Sequence, residues 1–246
     1  MALGIGIMKK IYKEILLAKA QNRKLLAILL DPDKIEINYL NDLIEKIKTS
    51  PATHILVGGS IVESDKIDEL VLLLKEKLSL PVILFPGDPS QISLHADGVL
   101  FLSLLSGRNP DYLIEHHVNA VPILKESNLE VISTGYLLIE SGSQTAVERV
   151  SQTKPINRNN IELVCQTAKA GEYLGNKLIY LEGGSGAQLA VPLEMINAVS
   201  NEISIPLIVG GGIRSHQAIQ EAFVSGADMV VIGTAFENDS NFFNFR

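Results

Sequence analysis

Eight short apolar runs recur along the chain, and they are apolar on both faces instead of alternating with polar residues. They cover Leu25 to Leu30, His54 to Val57, Val82 to Phe85, Val99 to Leu104, Glu130 to Ser133, Leu178 to Leu181, Leu207 to Val209 and Met229 to Ile232. Gly, Pro or a small polar residue flanks each of them, as at strand ends. Strands buried on both sides belong to parallel sheets covered by helices. Parallel neighbours need crossovers, and helix-period segments supply them: Tyr39 to Ile47, Lys66 to Leu78, Tyr112 to Lys125, Ile161 to Leu174, Leu193 to Val199 and His216 to Val224. In the first of these, Leu40, Leu43, Ile44 and Ile47 share a face opposite Asn41, Glu45 and Lys48. Eight strand–helix steps in 246 residues suit a closed (βα)8 TIM barrel better than an open doubly wound sheet, so residues 1-246 read as a single TIM-barrel domain. Lys9 to Lys19, with Ile11, Ile15 and Leu16 on one side, reads as an N-terminal helix capping the barrel's bottom.

Two intervals break the rhythm. Val82 and Val99 are only 17 residues apart, and Pro86, Gly87 and Pro89 lie between them, so the third helix is expected to be shortened or missing. The stretch from Ile139 to Asn160 is long and opens with Glu140, Ser141, Gly142, Ser143 and Gln144; it is a candidate lid.

Composition removes several function classes. The net charge is −7 and no basic run exceeds Lys9-Lys10, which argues against a nucleic-acid partner. Apolar Met1 to Met8 precedes Lys9-Lys10, the reverse of a secretory signal, and no apolar run approaches the roughly 18 residues of a membrane span. A soluble, cytoplasmic protein is expected. One cysteine, Cys165, forbids an intrachain disulfide framework and reads as a buried apolar residue. His54, His95, His116, His117 and His216 show no metal-ligand spacing, and the adjacent His116 and His117 are not expected to share one helix face. No dinucleotide fingerprint occurs in a βαβ setting. Phe236, Phe242, Phe243 and Phe245 cluster at the C-terminus, where they suit a terminal helix docked on the barrel or a subunit contact.

Barrel chemistry is built at the carboxyl ends of strands. Three glycine-rich exits stand there: Tyr180-Leu181-Glu182-Gly183-Gly184-Ser185-Gly186, Gly210-Gly211-Gly212-Ile213-Arg214 and Gly233-Thr234. Without Cβ atoms, their backbone N–H groups approach an anion closely, so the three together predict a phosphate cradle, although any one alone is satisfied by a tight turn. After the first strand, Asp31-Pro32-Asp33 puts two carboxylates at the mouth, with Ser60 at the next strand end. Oxygen donors of this kind suit magnesium, which keeps waters and substrate phosphates as further ligands, while an Asp-Pro turn accounts for Asp31 equally well taken alone. Position at the strand end favours the metal.

Leu-Asp-Pro-Asp-Lys, Val-Gly-Gly-Ser, Tyr-Leu-Glu-Gly-Gly-Ser-Gly, Gly-Gly-Gly-Ile-Arg and Ile-Gly-Thr follow one another at the matching strands. In this the chain resembles the geranylgeranylglyceryl phosphate synthases from about Lys24 to Phe236. The resemblance implies a Mg2+-dependent prenyltransferase that joins the C3 hydroxyl of sn-glycerol 1-phosphate to a prenyl diphosphate, geranylgeranyl in the archetype. It makes Asp31 and Ser60 the metal ligands. Tyr180, Leu181, Glu182, Gly183, Gly184, Ser185, Gly186, Gly211, Gly212, Gly233 and Thr234 become the glycerol-phosphate site. Glu182 is then the base, and Tyr180 the aromatic face beside the allylic carbon. A homo-oligomer and a peripheral membrane contact are further expectations. Many such proteins carry Lys two residues before the Asp, where this chain has Leu29, so the phosphate is left to backbone donors, or to Lys34 or Arg214. The prenyl tail is expected in an apolar groove through the gap after strand three, near Val99 to Leu105. The competing readings are another phosphate-binding barrel enzyme, an isomerase or lyase, and a noncatalytic phosphate-ligand barrel.

Overall fold

The computed structural model describes residues 10–35, 40–59, 64–238 and 242–243. Among them the strands β1 (Leu25–Leu30), β2 (His54–Val57), β3 (Val82–Leu84), β4 (Gly98–Leu104), β5 (Glu130–Leu138), β6 (Leu178–Glu182), β7 (Leu207–Gly210) and β8 (Met229–Ile232) pair in parallel in chain order. Strand β8 closes on β1, making the TIM barrel that the apolar periodicity predicts. The helices are α1 (Lys10–Ala20), α2 (Leu40–Thr49), α3 (Ser64–Lys77), α4 (His116–Glu126), α5 (Ala146–Ser151), α6 (Ile161–Tyr173), α7 (Leu193–Glu202), α8 (His216–Val224) and α9 (Thr234–Asn238).

Side-chain parity divides the core into two shells. Leu25, Leu56, Ile83, Leu100, Ile132, Leu178, Ile208 and Met229 fill the barrel. Their sequence neighbours, such as Leu26, Ile55, Val82, Val99, Ile179 and Val230, face the helices. Both faces are therefore buried, which is why the strands lack polar alternation.

The bottom is plugged by α1, whose Ile11, Ile15 and Ala18 join the inner shell. The buried Glu130 carboxylate, at the start of β5, accepts hydrogen bonds from Ile11 N at 2.8 Å and Tyr12 N at 3.0 Å. It thus binds unpaired donors at the positive end of the helix dipole. Glu130→Ala should cost about 2–3 kcal/mol in urea unfolding, with Glu130→Gln losing less. Equal stability of the Ala variant and wild type would show that the plug does not depend on this carboxylate.

His54 is buried at the start of β2, with Nδ1 2.8 Å from Thr53 Oγ1 and Nε2 without a hydrogen-bond partner. Burial, assisted by the Arg23 charge, lowers its pKa from 6.5 to about 4. Between those values the unfolded chain binds a proton that the native state excludes. Stability therefore falls as pH drops from 6.5 towards 4, by about 2 kcal/mol at pH 5. His54→Phe should flatten that part of the stability–pH curve; an unchanged slope would assign the acid sensitivity elsewhere.

The structure departs from the sequence expectations at several points. After β3 there is only a single 3-10 turn, Pro89–Gln91, begun by Asp88 accepting from Ser90 N, so the gap in the helical ring is present. The helix expected over Tyr112 to Lys125 opens as a wider π turn, Asp111–Glu115, before α4 begins. Strand β5 runs on to Leu138, because Thr134 to Leu138 pair with Leu178 to Glu182. The candidate lid is not a free polar flap: it holds α5, bridges Ile139 to Ile156, and buries Ser141, Thr145 and Ser151. Cys165 is half-buried, not buried, because it lies on α6 among residues that only flank the core. Phe236 lies in α9, and Phe242 and Phe243 pack on one another and on His216; Phe245 is outside the described residues. Among the described residues, no helix is long and apolar enough to cross a membrane.

Candidate active site

The strand register brings the tops of β1, β6, β7 and β8 to one rim. Leu30 pairs with Val57, Leu138 with Glu182, and Glu182 with Gly210. A cavity of about 600 Å3 opens there, and Asp31 and Glu182 both border it. So do Tyr180, Gly184, Ser185, Gly186, Gly211, Gly212, Gly233 and Thr234. Leu181 and Gly183 do not. Between the inward Tyr180 and Glu182, Leu181 turns its side chain into the outer shell, so it meets a ligand only through its backbone. Gly183 N is already given to Gly210 O at 3.0 Å. Ser60 lies outside the described residues.

Glu182 is a buried carboxylate at the end of β6. Its Oε1 accepts from Gly184 N at 2.6 Å, which fixes its direction. Burial raises its pKa, opposed by the Tyr180 hydroxyl and the Gly184 N–H. Tyr180 is fully buried; its hydroxyl is near enough to Glu182 to stabilise the carboxylate, yet it meets hydrogen-bond geometry with no protein atom. Burial, and then the Glu182 charge, hold the phenol well above its usual value, so it is a permanent donor. Room for the pair comes from Gly210, where a Cβ would stand 2.5 Å from Tyr180 Oη and 3.1 Å from Glu182 Oε2. The ring of Tyr180 stacks on Phe85 at 5.5 Å and meets Tyr136 edge-on at 5.5 Å. The aromatic surface expected of Tyr180 alone is thus shared by three rings.

The glycine exits need their glycines. Gly184, Gly186, Gly211 and Gly212 all have positive φ, from 73° to 97°. At Gly211 a Cβ would lie 2.2 Å from Glu182 Oε1 and 2.7 Å from both Gly183 N and Gly184 N. Among the described residues, the backbone N–H groups of Ser185, Gly186 and Gly212 make no hydrogen bond. These are unspent donors on the cavity wall, as an anion cradle requires. The lid segment holds this cradle in place: Thr145 caps α5 by accepting from Glu148 N, and its methyl packs where Gly184 has no side chain. Sequence spacing gives no sign of that contact.

The cation question left open at Leu29 also has a geometry. Arg214 and Lys34 both border the cavity. Arg214 donates to Ala187 O at 2.6 Å, while Lys34 Nζ is 3.2 Å from Asp31 Oδ2. Asp31 Oδ1 accepts from Asp33 N at 3.2 Å. Asp33 itself turns away to Lys66, at 3.1 Å, so only one of the two carboxylates stays at the mouth.

From the barrel mouth the cavity passes over β4 to its outer face, through the gap after β3. Val99, Phe101, Leu102, Tyr112, Ala120 and Val147 line this arm. His116 and His117 both border it, on different partners: His116 meets Tyr112 and His117 meets Phe101. His117 Nε2 is 3.2 Å from Ser103 Oγ, and the His117 ring meets Phe101 edge-on at 4.3 Å. Phe85, Tyr136 and Tyr112 are the residues that sequence reasoning missed. The inward parity of β5 and the aromatic residue ending the third apolar run were the available signals.

The PcrB family model matches residues 19–244. This chain belongs to the PcrB family. Its PcrB relatives include the geranylgeranylglyceryl phosphate synthase of Flavobacterium johnsoniae, 64% identical over 238 residues, covering 97% of this chain and 98% of that one. The synthase of Thermococcus kodakarensis is 41% identical over 220 residues, 89% of this chain and 86% of that one. Among solved structures, (S)-3-O-geranylgeranylglyceryl phosphate synthase from Thermoplasma acidophilum, in complex with its substrate sn-glycerol-1-phosphate, superposes with a TM-score of 0.88. It is 33% identical, with 95% of this chain and 94% of that chain covered. Within this PcrB protein, the Asp31 carboxylate and the glycine exits therefore sit on a barrel matched along nearly its whole length.

Proposed function

We propose that the protein is a prenyltransferase that joins sn-glycerol 1-phosphate to a prenyl diphosphate, geranylgeranyl diphosphate or a related chain, with Mg2+. The carrying observation is one continuous cavity of about 600 Å3 with a polar end, holding Glu182, Asp31 and unspent glycine-loop donors, and an apolar arm lined by Val99, Phe101, Leu102 and Val147. The phosphate of the acceptor lies in the cradle of Ser185, Gly186 and Gly212. Tyr180 Oη donates to an acceptor hydroxyl, and Glu182 takes the proton of the C3 hydroxyl. That oxygen bonds to C1 of the prenyl chain as the C1–O bond to diphosphate breaks, and diphosphate leaves with the electron pair. Phe85, Tyr136 and Tyr180 face the carbon on which positive charge develops. Along the arm, each buried CH2 contributes about 0.8 kcal/mol, so donor length is read by groove length.

What supports magnesium is the chemistry of the donor: Asp31 is a hard oxygen ligand on the cavity, and among the described residues no cluster of three His, Cys, Asp or Glu accompanies it. A site with so few protein ligands depends on substrate oxygens to complete it. When bound, the metal supplies charge neutralisation for the departing diphosphate.

The test incubates the protein with Mg2+, labelled sn-glycerol 1-phosphate and prenyl diphosphates of several lengths, then extracts with organic solvent. Label in the organic phase with at least one donor is expected. Its absence with every donor would remove the transferase reading and leave a binder or a different barrel enzyme.

A further inference from the structure

We infer that Lys34 is a ligand of the donor's diphosphate, held in reserve on the Asp31 carboxylate until a metal ion takes its place; this rests on the transferase reading above. Three side chains with permanent positive charge border the cavity: Lys34, Arg149 and Arg214. Arg214 is bonded to Ala187 O on the β6 exit, beside the cradle. Arg149 is exposed on α5, at the entrance to the apolar arm. Lys34 alone of the three is attached to the strand-end carboxylate, with Nζ 3.2 Å from Asp31 Oδ2.

Its place is fixed by the backbone. The turn after β1 is closed by Lys34 N donating to Asp31 O at 3.0 Å and by Asp33 N donating to Asp31 Oδ1. The root of Lys34 is therefore anchored one turn from Asp31, and its ammonium sits at the end of a four-carbon stem with several rotatable bonds. A divalent cation bound by Asp31 repels the ammonium and satisfies the carboxylate that held it. The diphosphate that arrives with the metal carries the largest negative charge in the cavity, and an ammonium on a flexible stem binds phosphate oxygens as a point charge.

The test uses calorimetry with inorganic pyrophosphate plus Mg2+, and separately with sn-glycerol 1-phosphate, on wild type, Lys34→Met and Lys34→Arg. Lys34→Met keeps the stem and should weaken pyrophosphate binding about 10- to 30-fold while moving glycerol 1-phosphate affinity by no more than about twofold. Lys34→Arg should restore most of the loss. Mg2+ alone should bind Lys34→Met more tightly than wild type, because its competitor is gone. In steady state, KM for the prenyl diphosphate should rise more than kcat falls. Unchanged pyrophosphate affinity in Lys34→Met, or a loss falling equally on glycerol 1-phosphate, overturns this assignment alone. Wild-type protein that binds neither anion overturns the transferase reading together with it.

Discussion

Glu182→Gln should lower kcat about a thousandfold while leaving sn-glycerol 1-phosphate affinity nearly unchanged. The amide keeps the volume of the carboxylate and an oxygen to accept from Gly184 N, but it cannot take the proton of the attacking hydroxyl. Stopped activity with retained binding, read by calorimetry beside single-turnover kinetics, separates loss of a base from collapse of the loop. Wild-type kcat in the variant would mean the proton leaves by another route. In wild type, the limb on which activity rises with pH should lie above the ordinary carboxylate range, since burial raises the Glu182 pKa. The same burial has an effect on stability of opposite sign. Above its unfolded value near 4.5, the native carboxyl holds its proton longer than the unfolded chain does, so its contribution is lost as pH rises through the folded value. At neutral pH, Glu182→Gln should therefore raise Tm as it abolishes turnover, the trade-off expected of a charge kept buried for chemistry.

Gly211→Ala should be severely damaging, since one methyl there meets both an unfavourable backbone region and the Glu182 carboxylate. The Gly211 φ of 79° costs a side chain roughly 1–2 kcal/mol. The added carbon would also stand 2.2 Å from the Glu182 carboxylate and 2.7 Å from two backbone nitrogens of the β6 exit. The loop must move, and with it the Gly184 N–H that orients Glu182. A loss of kcat/KM above about a hundredfold is expected, divided between weaker acceptor binding and slower chemistry. Gly186→Ala is the matched control: its φ of 75° carries the same conformational cost, but a Cβ there meets nothing within 4 Å. Equal damage from the two substitutions would mean that backbone conformation, not the crowding around Glu182, decides the effect.

The barrel was legible because its strands are buried on both faces, and runs such as His54–Val57 and Met229–Ile232 coincide with β2 and β8 residue for residue. The glycine exits were legible as well, since positive φ leaves a chemical trace in the sequence. Contacts between distant segments leave none. Nothing at Thr145 announces that it packs on Gly184, and nothing at Glu130 announces that it caps α1. Leu181 was legible by strand parity, which turns its side chain outward between the inward Tyr180 and Glu182. The π turn through which the chain enters α4 left no mark in the sequence. Asp31 and Asp33 looked equivalent in sequence, and only the turn geometry divides them between the cavity and Lys66.

The two ends of the cavity are written in different parts of the polymer. The polar end offers main-chain amides, whose placement is tied to the few glycines at positive φ; the apolar arm offers the exchangeable side chains Phe101, Tyr112 and Val147. A lineage drifting at those three positions would alter which hydrocarbon it accepts while inheriting an intact grip on the headgroup. Directed evolution of new lipid lengths on this scaffold can accordingly confine its library to the arm.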